Sequence, residues 1–139
     1  MSAQYRAVII GHTGQGDYGH GLDIVYDDVP EVEVVAVADP DAEGLATARE
    51  RIGAANAYAD YREMLEREEF DLVNVCPRVV TPHAAMVIAA AEAGAVILPA
   101  SPAVYQEPQS FEDLADFIAG RILNLFGIPH ELFPTWRGE

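Results

Sequence analysis

The sequence contains no lysine; its 8 basic residues are all arginine. That excludes a phosphate-loop lysine, a Schiff base and a lysine general acid. Positive charge is scarce altogether: 8 basic residues stand against 23 acidic ones, and a net charge of −15 repels nucleic acid and anionic membrane surfaces. Neither is expected as a partner. The single cysteine, Cys76, leaves no disulfide framework and no thiolate metal cluster, which points to a reducing cytoplasm. Cys76 itself reads as a small buried hydrophobe. No apolar run is long enough to span a bilayer, and Met1-Ser2-Ala3-Gln4 lacks the charged start of a signal peptide. Internal repeats and low-complexity linkers are absent too.

What is present is a chain of 139 residues, half of them hydrophobic, enough for one domain with a real core but without room for a second catalytic domain. Tyr5 to Ile10 reads as a strand that empties into the glycine-rich stretch Gly11-His12-Thr13-Gly14-Gln15-Gly16-Asp17-Tyr18-Gly19. Gly14-x-Gly16-x-x-Gly19 matches the dinucleotide fingerprint, with a pyrophosphate expected on backbone amides at a helix N-terminus. Gly11, already at the strand end, is an alternative first glycine. Leu22, Val25, Tyr26 and Val29 recur at helical spacing and predict that helix, closed by Pro30.

Val32 to Ala38 is a second strand, apolar enough to be buried on both faces of a parallel sheet. Asp39 ends it, 23 residues after Gly16, and Asp39-Pro40-Asp41 opens a helix stopped by Gly53. Asn56 to Ala59 is a brief strand, and Asp60-Tyr61-Arg62-Glu63 has capping-box spacing ahead of a short helix. Asp71 to Cys76 is a fourth strand. Thr81-Pro82-His83 is read as the cap of an alanine-rich helix ending at Gly94, and Ala95 to Leu98 as a fifth strand. Ser110-Phe111-Glu112-Asp113 caps a last helix with the apolar stripe Phe111, Leu114, Ile118, Ile122 and Leu125. The expected fold is α/β: a single doubly wound, three-layer, Rossmann- or flavodoxin-like domain with a five-stranded parallel sheet. Its binding crevice lies at the carboxyl rim of the strands. A tail from Pro129 to Glu139 carries Leu132, Phe133 and Trp136 and is expected to dock on the domain or on a second copy, a route to a homo-oligomer.

Lesser candidates are His83, placed at the crevice rim as a neutral ligand contact, and His12 and His20, which flank the loop without the carboxylate or thiol that a metal site needs. The acidic run Glu66, Glu68, Glu69 and Asp71 reads as a solvated helix end. No Ser-His-Asp or Cys-His constellation can be placed.

Two resemblances cover different parts of the chain. From about Tyr5 to Gly94, the glycine loop, Ala38-Asp39-Pro40-Asp41, Tyr58-Ala59-Asp60-Tyr61, Asn74-Val75-Cys76-Pro77 and the helix ending Ala93-Gly94 resemble the nucleotide-binding half of the Gfo/Idh/MocA oxidoreductases. That resemblance implies NAD as cofactor, with Asp39 accepting hydrogen bonds from the adenosine ribose. A plain helix cap is the other reading of Asp39, and both can hold at once. The family's Glu-Lys-Pro motif, whose lysine serves hydride transfer, corresponds here to Ala100-Ser101-Pro102, so dehydrogenase chemistry is not expected. From about Gly94 onward, Ala95 to Tyr105, Pro108-Gln109-Ser110, Glu112-Asp113-Leu114, Asp116-Phe117-Ile118 and Gly120-Arg121-Ile122-Leu123 are similar to the last segment of the UbiX-type flavin prenyltransferases. This implies a phosphate site at Tyr105 and Arg121, with FMN as the alternative cofactor. Arg121 also reads as a cation that lays its stem on the core edge and reaches water with its head.

The combined expectation is a chimera, engineered by preference over natural recombination. It would bind a small-molecule nucleotide, NAD, through Gly11, Gly14, Gly16, Gly19, Asp39 and His83, with no complete catalytic site. A flavin prenyltransferase-like fragment and a purely structural module are the alternatives.

Overall fold

A computed structural model describes residues 5–19, 21–27, 29–97, 109–125 and 127–133. Two compact units divide the chain, Met1–Ile97 and Leu98–Glu139. In the first, β1 (Tyr5–Ile10), β2 (Val32–Ala38), β3 (Asn56–Tyr58) and β4 (Leu72–Val75) form a parallel sheet in the order β3-β2-β1-β4. Their side chains alternate between two cores, as a strand's period of two requires. Val8, Ile10, Ala36 and Ala38 face Met64 and Leu65 of α2 (Tyr61–Arg67) and Met86 and Ala90 of α3 (Val80–Glu92). Ile9 and Val37 face Ala48 of α1 (Ala42–Ile52), together with Tyr18 and Cys76. A register shift between Ala7 and Val8 sets Val34 opposite Ala7 and Ala36 opposite Val8, leaving Val35 as the extra residue. The result is an α/β Rossmann-like fold in three layers.

The helix boundaries follow local chemistry. Asp41 caps α1 by accepting from the Gly44 amide at 2.7 Å, and Gly53 closes it at φ 75°. Asp60 caps α2 through the Arg62 amide, while Glu63 pairs with Arg67 at 2.9 Å instead of reaching back to complete the box. In the second unit, Ser110 and Asp113 exchange hydrogen bonds at the start of α4 (Phe111–Leu125): the Ser110 Oγ accepts from the Asp113 amide and an Asp113 carboxylate oxygen from the Ser110 amide. The Gln109 amide first, then the Ser110 contacts, hold the Asp113 carboxyl below its ordinary range.

Four expectations are corrected. The helix expected over Leu22 to Val29 is a succession of turns among the described residues. Gly14, Gly16, Asp17, Gly19 and Gly21 all take positive φ, a backbone state that cannot start a right-handed helix, and single turn bonds such as Ile24 to Gly21 and Asp27 to Ile24 replace a helical ladder. The sheet has four strands among the described residues, not five. The Gly94 and Ala95 amides turn back to the Ala91 and Ala90 carbonyls, and Val96, 73% exposed, and Ile97 run on without a strand partner; Leu98 lies outside the described residues. Thr81 does not cap α3, which begins one residue earlier with Val79 in the cap position and no side-chain cap bond. In α4 the buried residues are Phe117 and Gly120, whereas Phe111, Ile122 and Leu125 of the expected stripe are exposed. The described start of the tail explains this: Phe133 packs on Phe117 with ring centroids 5.0 Å apart, and Phe133 and His130 cover Gly120 so closely that a methyl there would collide with both.

Candidate functional site

The carboxyl ends of β1, β2, β3 and β4 form one rim, and the loop after β1 lies along it. The loop is a tight structure satisfied by its own groups. His12 and Asp17 bridge across it, and the His12 carbonyl accepts from both Gln15 and Asp17. The Asp17 carboxylate accepts from the Gly14 amide at 2.8 Å, which keeps Asp17 in a left-handed conformation at φ 51°. On one side the loop reaches Asp39, just past β2. Asp39 is 1% exposed and accepts from the Thr13 hydroxyl at 2.8 Å, the Thr13 amide at 3.0 Å and the Asp41 amide at 2.9 Å. On the other side the Gln15 carbonyl accepts from the Val79 amide, and Gly16 lies flat on the Arg78 backbone, where a Cβ would come within 2.5 Å of the amide nitrogen. Gly19 approaches the Cys76 carbonyl in the same way.

Tyr18 fills the space over Gly11: a methyl on Gly11 would overlap its ring. Its hydroxyl is buried and makes no well-formed hydrogen bond among the described residues, and burial first, then the adjacent Asp39 carboxylate, push the phenol well above its ordinary range. Arg51 from α1 stacks over the same ring, 5.1 Å from its centroid, while its Nε donates to the buried Asp23 carboxylate at 2.8 Å. That pair, with the Tyr26 hydroxyl donating to Asn74 at 2.8 Å, ties the turns of residues 21–27 to α1 and β4. Burial drives the Tyr26 phenol up to about 12, and likewise the Cys76 thiol.

Beside the loop is a cavity of about 340 Å³ lined mainly by apolar atoms of Pro40, Ala59, Tyr61, Pro82 and Met86, with Arg62 and His12 among its polar residues. The Nδ1 of His12 is buried and has no hydrogen-bond partner among the described residues.

The rim therefore gathers Gly11, Gly14, Gly16, Gly19 and Asp39. His83, in the first turn of α3, donates from Nδ1 to the Pro77 carbonyl at 2.7 Å. Arg121 is an exposed residue of α4 in the second unit, and Tyr105 lies outside the described residues, as do Ser101 and His20. Sequence reasoning missed Thr13, Asp17 and Tyr18, which occupy the rim, and the lining of the cavity. One signal was available: a glycine at position 44, early in a helix, where alanine costs less, marks a close approach.

These groups suit part of a dinucleotide and not another part. A buried carboxylate next to a largely apolar cavity suits a ribose and an adenine ring. The loop as it lies does not offer a phosphate the amides of Thr13, Gly14 and Gln15, since the Gly14 amide is held by Asp17, the Thr13 amide by Asp39 and the Gln15 amide by His12.

A sequence model of the Gfo/Idh/MocA proteins, an oxidoreductase family with an NAD-binding Rossmann fold, matches residues 5–119. The chain belongs to this family. The match runs beyond Gly94 into α4, further than the short motifs alone indicate. Among solved structures, a probable dehydrogenase from Thermotoga maritima superposes with a TM-score of 0.53 at 28% identity, covering 65% of this chain and 26% of that one. Gfo/Idh/MocA character is joined by a second similarity over the C-terminal part. The flavin prenyltransferase UbiX of Pseudomonas aeruginosa is 60% identical over 43 residues, 31% of this chain and 21% of that protein. The flavin prenyltransferase UbiX of Methanothermobacter thermautotrophicus is 40% identical over 94 residues, 61% of this chain and 48% of that protein. The chain thus spans less than half the length of these relatives. No described helix is long and apolar enough to cross a membrane, and no described group of three or more His, Cys, Asp or Glu is arranged to hold a metal ion.

Proposed function

We propose that this chain binds an adenine dinucleotide, NAD, at the rim of its sheet, with little or no catalysis of its own. The observation that carries this is the Asp39 carboxylate, buried at the end of β2 beside a largely apolar cavity of about 340 Å³ in a chain of the NAD-binding family. Asp39 would accept the ribose hydroxyls, Pro40, Tyr61, Pro82 and Met86 would enclose the base, and Gly14, Gly16 and Gly19 would lie along the pyrophosphate. When bound, the cofactor supplies a hydride acceptor or donor. The lysine that the family uses beside it is replaced by Ser101, so the chain offers no side-chain acid at that position.

Titration of NADH followed by its fluorescence, with Asp39→Ala as control, tests the reading. Saturable binding that the substitution abolishes supports it; no saturable change up to millimolar NADH refutes it.

The 60% identity to a flavin prenyltransferase segment favours a second reading, an FMN or allylic phosphate contact at Tyr105 and Arg121. Purified protein that stays colourless and retains no FMN after reconstitution counts against it. We further infer that the two similarities record a chimera of two doubly wound parents, joined by design or by recombination.

A further inference from the structure

The rim carries its own stand-ins for a ligand. Thr13 gives Asp39 two donors from one residue, a hydroxyl at 2.8 Å and an amide at 3.0 Å, much as the paired hydroxyls of a ribose would. Asp17 gives the Gly14 amide a carboxylate oxygen at 2.8 Å, the place of an anion in a glycine loop. The rest of α1 is shaped to admit this arrangement. Gly44 is the third residue of the helix, where glycine costs stability relative to alanine, yet a methyl there would fall on the Thr13 hydroxyl. Asp41, the cap of that helix, sits against the same position, its Oδ1 3.2 Å from the Cβ that Gly44 lacks.

We propose that Thr13 is an intramolecular latch that competes with the nucleotide ribose for Asp39 and holds the glycine loop shut, seated by the missing side chain at Gly44. The proposal rests on the nucleotide reading above. Its physical content is a population effect: a ligand that needs Asp39 binds only the fraction of molecules in which Thr13 has let go, and its apparent dissociation constant rises by the inverse of that fraction. Removing the hydroxyl weakens the shut state in two ways, because it deletes a charge-assisted hydrogen bond and leaves a lone pair of a buried carboxylate unmet. Asp17 adds to the closure, since a phosphate arriving at Gly14 meets a negative charge already there.

Two substitutions break the latch by different routes. Thr13→Val keeps the shape and removes the hydroxyl; Thr13→Ala removes the hydroxyl and opens the space that the side chain fills beside Asp39 and Gly44. Each is compared with the parent protein by NADH titration and, without ligand, by hydrogen exchange at the Thr13 amide. A thermal melt of each variant shows that it is folded, and if one is not, the other decides. The expected result is NADH binding at least about tenfold tighter in both variants, equivalent to ~1.4 kcal/mol, with faster exchange at Thr13 before any ligand is added. Equal saturable binding in all three proteins overturns the latch and leaves the nucleotide reading intact. Weaker binding in Thr13→Val and in Thr13→Ala also overturns it, since Thr13 would then serve the ligand. Absence of saturation in all three removes the nucleotide reading and the latch with it.

Discussion

Arg51→Ala should destabilise the protein more than the loss of a surface arginine can explain, and a second substitution should reverse the loss. The Asp23 side chain is 3% exposed and receives both the Nε and an Nη of Arg51, whose own side chain is 43% exposed. Breaking a fully buried pair by removing one partner costs about 3–5 kcal/mol, whereas an exposed pair contributes only about 0–1 kcal/mol. Arg51 is half in water, so the middle of that range applies, about 2 kcal/mol. Loss of its stacking on Tyr18 adds roughly 0.5–1 kcal/mol. Urea unfolding should therefore show a lower midpoint at unchanged slope, by the equivalent of about 2.5–3 kcal/mol. The decisive arm is Asp23→Asn. In the parent it loses the pair and should destabilise, but in the Arg51→Ala background it removes an unpaired buried charge and should stabilise. An Arg51→Ala cost below about 0.5 kcal/mol, the size of an ordinary surface change, or a further loss on adding Asp23→Asn, would refute the reasoning. It would also show that the turns after the glycine loop are not tethered as described.

Other outcomes follow from the same structure. Gly11→Ala should cost about 1–3 kcal/mol, the usual penalty of overpacking, because its methyl meets the Tyr18 ring; chemical denaturation measures it. Tyr26 and Cys76 both have folded pKa values raised to about 12, so their neutral forms belong to the fold: the stability they lend is present below their unfolded pKa values and is lost as pH climbs toward 12. Alkaline titration with tyrosinate absorbance should show Tyr26 ionising late and unfolding accompanying it, and a thiol reagent at pH 8 should label Cys76 only after denaturant is added. Gly120→Ala should strengthen α4 by roughly 1 kcal/mol in helix propensity yet expel Phe133 and His130, so limited proteolysis after residue 127 should become faster.

β1 and β2 were legible because each is a short apolar run, and burial on both faces of a parallel sheet leaves that signature; β3, Asn56–Tyr58, is largely exposed and was marked only by its place between turn residues. Gly53 and Ser110 announced their helix ends through local hydrogen bonding that needs no tertiary context, whereas the cap of α1 is Asp41 and not Asp39, the residue read as a cap. Leu22, Val25, Tyr26 and Val29 misled for a physical reason: spacing reports which side chains share a face only if the backbone is already helical, and Gly19 and Gly21 in the left-handed region prevent that. The segment is held instead by long-range polar pairs, Asp23 with Arg51 and Tyr26 with Asn74, which no local pattern encodes. Val96 and Ile97 have a strand composition but no neighbour to pair with among the described residues. At the site, the position of Asp39 was legible from its offset after the glycines. Its partner was not, because Thr13 reaches it across 26 residues of sequence through a loop whose path is set by Tyr18 under Gly11 and by Gly16 on the Arg78 backbone.

The central claim, a nucleotide site on the rim of the sheet, is tested most directly by mapping amide chemical shifts of the labelled protein during titration with NAD. The account predicts saturable shifts at Thr13, Gly14, Asp39, Tyr61 and Met86, with α4 unmoved around Arg121. Shifts confined to α4, or none at any NAD concentration reached, would contradict it.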